Sequence, residues 1–228
     1  MIHILILLCL VAPVALAADK QNLPTLGDAS SGIVSLPQER ELGQDFLRAL
    51  RAQAPTLDDP ILQDYIEFLT YRLVAKSQLQ DRRLDLVIVD NASLNAFAVP
   101  GGGIGDNHGL FFYGETENEI SAILAHEIAH LSQRHFPRGV EAGKVNAAIN
   151  IAGLLASIVL VSTVGTDAGL AALSASQGAG VARQLAHSRG REAEADRVGI
   201  NTLAEADMDP RAMAYMFERL ERASRSNA

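Results

Sequence analysis

The stretch ILAHEIAHLSQRH, residues 123–135, constrains this chain more than any other. It sets His126, Glu127 and His130 in a run whose apolar residues, Ile120, Ile123, Leu124, Ile128 and Leu131, recur at helical spacing. A helix that apolar is largely buried, and burying three titratable groups without partners costs free energy. A solvated polar face is the competing reading, but it leaves the apolar flanks unexplained. Residues four apart share a helix face, so the imidazoles of His126 and His130 can close on one metal ion. Glu127, next to the first of them, can reach a water bound to the same ion. Zinc, one per chain, is the natural candidate, because imidazole suits it and no thiolate or redox partner accompanies the pair.

A catalytic zinc needs a third protein ligand and an open position. Downstream, HSRGREAEADRVG spans residues 187–199. Read alone it is a charged surface helix; read with HEIAH it offers the missing carboxylate. Glu192 and Asp196 share a face, so Glu192 can be the third ligand, and Asp196 can accept the free ring N–H of a zinc histidine. Glu194 is the rival ligand, although on a helix it points roughly opposite Glu192. His135 stands half a turn off the His126 face and is expected to be structural or solvated, as is His187, which precedes the ligand helix.

The chain has 228 residues, 48% of them hydrophobic, enough for one domain with a sizeable core. Its net charge of −8 and lack of a basic run argue against nucleic acid as a partner. Residues 1–17 form an apolar run ending in Ala15-Leu16-Ala17 and are read as a signal peptide; an uncleaved membrane anchor is the competing reading. Cys9 lies inside this run, so a processed chain has no cysteine and no need of disulfides. Residues 18–35, small and polar, read as a linker, and 36–228 as the functional domain.

Within that domain the periodicity predicts helices over 36–54 and 60–77 and a strand over 84–90. The glycine-rich segment NAFAVPGGGIGDNHGLFF fits no phosphate-binding register and suits an edge strand or bulged hairpin, with His108 on its surface. Thr116 and Glu119 form a capping box that starts the HEIAH helix, and Pro137 and Gly139 are expected to end it. Two uncharged runs, 145–166 and 168–182, follow. One zinc bound from both sides of them rules out a single membrane span, and a helical hairpin buried in the fold or resting on a membrane surface is expected. The fold class is α+β, mainly helical, with a small sheet.

HEIAH, followed by Ser188-Arg189, Glu192 and Ala195-Asp196, with NAFAVPGG upstream, resembles the membrane-associated gluzincin zinc metalloproteases over roughly residues 36–222. These comprise the HtpX-like proteases, the CAAX prenyl endopeptidases and the periplasmic BepA-like proteases, and the likeness is greatest to the last. The resemblance implies a zincin-type fold, His126, His130 and Glu192 as zinc ligands, and Glu127 as catalytic base. It implies a zinc endopeptidase in the periplasm, in contact with the membrane surface, that acts on unfolded or misassembled envelope proteins in quality control. An extended substrate is expected to pair with the strand at Asn95, Ala96, Phe97 and Ala98. The chain departs from its relatives in reading GIGDNHG where they are more apolar, and residues 36–228 are read as a metalloprotease domain without the helical TPR repeats of BepA-like proteins. From a different functional class, a zinc-stabilised, chaperone-like binding module with little turnover remains the alternative, and an integral-membrane HtpX-like protease a weaker one.

Overall fold

The computed structural model describes residues 34–142 and 178–226, with side chains over 34–139 and 189–222. The expected signal peptide, all but the last residues of the expected linker and most of the two uncharged runs lie outside the described residues.

The helices start where the sequence offers caps. The Ser35 hydroxyl accepts from the Gln38 N–H and, with the Gln38 side chain, closes a capping box ahead of α1 (Leu36–Gln53). Asp59 caps α2 (Pro60–Val74), whose leading proline has no N–H to leave unpaired. Three short strands follow: β1 (Asp85–Val89), β2 (Ala96–Val99) and β3 (Gly103–Asn107). Their order is β1-β3-β2, with β1 parallel and β2 antiparallel to β3. The β2–β3 turn runs through Gly101 and Gly102, at φ +73° and +96°, values that side chains other than glycine rarely adopt. The expected edge strand is therefore β2, the outer member of a hairpin. The GIGDNHG segment is the buried central strand, so it has no edge to offer a substrate.

After the short α3 (Gly109–Tyr113) comes α4 (Glu117–Ser132), the HEIAH helix. Its Thr116–Glu119 capping box forms as the spacing predicts, the Thr116 hydroxyl accepting from Glu119 N–H at 3.2 Å. Ile120, Leu124 and Ile128 are buried in the main core with Ile66, Leu69 and Leu73 of α2 and Ile104 of β3. The helix does not run on to Pro137. It stops at Ser132, Arg134 takes a left-handed φ of +51°, and α5 (His135–Ala142) starts at once, with Pro137 in its first turn. The Arg134 guanidinium is held by the buried Glu39 carboxylate of α1 and donates to the Val34 carbonyl at 2.8 Å. Those partners offset the cost of a left-handed conformation in a residue with a side chain, about 1–2 kcal/mol.

The long α6 (Gly178–Glu205) crosses α4, and α7 (Ala212–Ser226) packs beside it. A side chain at Gly199 would meet the backbone of Ala125 and His126 at 3.2 Å, so the glycine sets how closely α6 approaches the HEIAH helix. Ala129, Ala195 and Val198 fill the rest of the crossing. The domain is thus α+β and mainly helical, and no described helix is long and apolar enough to cross a membrane.

Candidate metal centre

Three elements meet at the HEIAH helix: α6 across one side, β2 along another, and the corner between α4 and α5. His126 and His130, one turn apart on α4, turn their Nε2 atoms toward each other, 3.0 Å apart. Glu192 of α6 brings Oε2 to 3.4 Å from each of them. Zinc–ligand bonds of about 2.0–2.1 Å in a tetrahedron put ligand atoms ~3.3 Å apart, close to all three separations. Two imidazoles and a carboxylate facing one point are also the donor set that suits a zinc-like cation. Among the described residues these three are the group of histidine, cysteine or acidic side chains arranged to hold a metal ion.

The outer partners are in place as well. His126 Nδ1 lies 2.9 Å from Asp196 Oδ1, one turn beyond Glu192 on α6, an approach somewhat off the line of a full hydrogen bond. Burial works against a charge on His126, but Asp196 and Glu192 outweigh it and push its pKa up to about 10. Burial likewise works against a charged Glu192, and the two histidines outweigh it, holding that carboxyl well below its usual range. Cation and anion are thus mutually stabilised even before a metal neutralises the cluster.

Glu127 is buried at 8% exposure, yet it lines the cleft that His126, His130 and Glu192 share. That cleft, of about 530 Å³, is walled on one side by β2 from Ala96 to Val99. The Phe97 ring turns inward over Gly105, where a side chain would collide with it, and meets Phe46 edge-on, while Ala96 and Ala98 are half-buried. Asn95 precedes the strand, its carbonyl accepting from Asn107 N–H at 2.9 Å.

Glu194 is not among the three donors, as its place on the helix predicts. Nor is it solvated: Oε2 sits 3.2 Å from His135 Nε2 and accepts from Arg138 at 2.9 Å. His135 is the residue that sequence reasoning misplaced. On a continuing helix it would face away from the site; the turn at Arg134 folds it back, so that its Nδ1 lies 3.0 Å from His130 Nδ1. No residue type at position 134 announces that turn, since glycine usually marks it. His108 departs from expectation too: it is partly buried, with Nδ1 3.0 Å from Asp90. The His187 side chain lies outside the described residues. Sequence reasoning also passed over Asp106, a fully buried carboxyl on β3 whose oxygens have no hydrogen-bond partner among the described residues.

Residues 60–225 match the model for peptidase family M48. The chain is 35% identical over 225 residues to the beta-barrel assembly-enhancing protease of Yersinia pestis, covering 96% of this chain and 46% of that one. It is 34% identical over 210 residues to the Escherichia coli (strain K12) protein of the same name, covering 92% and 43%. The mitochondrial metalloendopeptidase OMA1 of Schizosaccharomyces pombe is 28% identical over 203 residues, covering 83% and 54%. The chain spans about half the length of these relatives.

Proposed function

The chain belongs to peptidase family M48, and from that premise we propose that it is a zinc-dependent endopeptidase of the bacterial envelope, acting on unfolded or misassembled envelope proteins. The observation that carries the proposal is the convergence of His126, His130 and Glu192 at coordinating distances beside a buried glutamate, at the foot of a cleft bordered by a free strand edge.

His126, His130 and Glu192 would hold the metal. A zinc ion bound there supplies a Lewis acid that polarises the scissile carbonyl and makes water a nucleophile near neutral pH. Glu127 takes the proton from the attacking water and returns it to the departing amine, a general acid–base role worth about 10²–10⁴ in rate. Asp196 fixes the ring of His126. β2 positions the substrate: it pairs with β3 on one side and with no described strand on the other, so an extended peptide can add along it from Asn95 to Ala98. The small Ala96 and Ala98 leave room for the peptide's own side chains.

Work in the envelope is supported by the apolar run before Ala15–Ala17 and by the likeness to bacterial beta-barrel assembly-enhancing proteases. The test is incubation of the purified chain with an unfolded, casein-type protein. We expect cleavage that a chelator abolishes and added zinc restores. A zinc-loaded chain that binds such proteins and never cuts them would favour the chaperone-like binding module instead.

A further inference from the structure

The mechanism leaves one buried histidine without a task. His135 opens α5 and is only 5% exposed, its ring set edge-on against that of His130 at 4.8 Å between centroids. Its Nδ1 lies 3.0 Å from His130 Nδ1, and its Nε2 lies 3.2 Å from Glu194 Oε2, the oxygen that also accepts from Arg138.

Counting protons settles who donates. His130 turns Nε2 toward His126 and Glu192, so a ligating His130 carries its proton on Nδ1. The Glu194 carboxylate, paired with Arg138, offers only lone pairs, so His135 gives it the Nε2 proton. A neutral His135 then presents a bare Nδ1, the acceptor that His130 requires. We infer that His135 is a positioning residue for the metal centre: it accepts the Nδ1–H of His130, while Glu194, anchored by Arg138, fixes its tautomer. The inference rests on the metal-centre reading above. It gives α6 a consistent part, with Glu192 facing the cluster, Asp196 behind His126, and Glu194 behind His130 through His135. It also gives the turn at Arg134 a purpose, since that turn brings residue 135 back against residue 130.

The experiment is zinc affinity of the full 228-residue chain by competition with a chelator. His135→Leu, which fills the space but accepts nothing, should bind zinc about ten- to a hundredfold more weakly, the usual cost of losing such an outer partner. His135→Asn, whose amide oxygen sits near the position of Nδ1, should keep most of the affinity. Wild-type affinity in His135→Leu, or equal losses in both variants, overturns the inference. If the leucine variant does not fold, nitrogen NMR of the labelled, zinc-loaded wild type decides. His135 protonated at Nε2 alone and His130 at Nδ1 is the expected result, and a proton on His135 Nδ1 is the contrary one. Failure of the wild type to bind zinc would remove the metal-centre reading and this inference together; the other contrary results remove only the inference.

Discussion

Asp106 is a carboxyl that the fold buries at a cost. It is fully buried on the central strand, and burial, followed by the negative charge of Glu127, pushes its pKa from 3.8 up to about 8. The folded chain therefore keeps a proton that the unfolded chain gives up over that interval, so this group's stabilisation is complete below the ordinary aspartate range and is lost as pH rises toward the folded value. Asp106→Asn removes the titration. Its stability relative to wild type, measured by unfolding of the metal-free chain, should improve steadily from acid to mildly alkaline pH; a constant difference would contradict the assignment. At the centre itself, Glu192→Ala should lose most of the zinc, and Asp196→Ala should weaken zinc affinity about ten- to a hundredfold. If Glu194→Ala instead empties the site as Glu192→Ala should, the donor set is misassigned. His126, His130, Glu192 and Asp196 were legible in the sequence because each pair is four apart, and helix geometry alone makes such residues neighbours. Asp106 and His135 were not, because their surroundings are made by chain distant in sequence or by a turn that no residue type betrays.

The helices were legible element by element. Predicted limits of 36–54 and 60–77 compare with Leu36–Gln53 and Pro60–Val74, because proline and a capping side chain mark each start. The end of the HEIAH helix was misread, since Pro137 is compatible with the first turn of a new helix as well as with the end of an old one. How α6 meets α4 was also beyond local pattern: it depends on Gly199, an unremarkable glycine in a helical sequence. Gly199→Val should force the helices apart at the residue that adjoins the His126 backbone. Overpacking of this kind costs about 1–3 kcal/mol, and because Glu192 and Asp196 ride on the same helix, zinc affinity should fall along with the melting temperature. A variant with unchanged melting temperature and unchanged zinc affinity would show that the crossing is not set there.

For the whole molecule, the fold class followed from long amphipathic segments around a few short strands, while the pairing of β1 with β3 across an intervening hairpin strand did not, because period-two patterns carry no pairing information. The packing of α4 against α6 has a topological consequence. Residues 143–177, which lie outside the described residues, join two helices of one packed unit, so an even number of membrane crossings between them is expected. We expect zero crossings. A cysteine placed at Thr166 in cells should then react from the same side as the active site. Labelling only from the opposite side, together with resistance to carbonate extraction, would mean two spans.

The central claim is that Glu127 does chemistry at a metal it does not itself hold. The most direct measurement takes zinc content and cleavage of an unfolded protein side by side for the wild type and Glu127→Gln. The account predicts one zinc per chain in both and a loss of cleavage of at least about 10²-fold in the variant. A variant that loses its zinc, or that cuts at the wild-type rate, would contradict it.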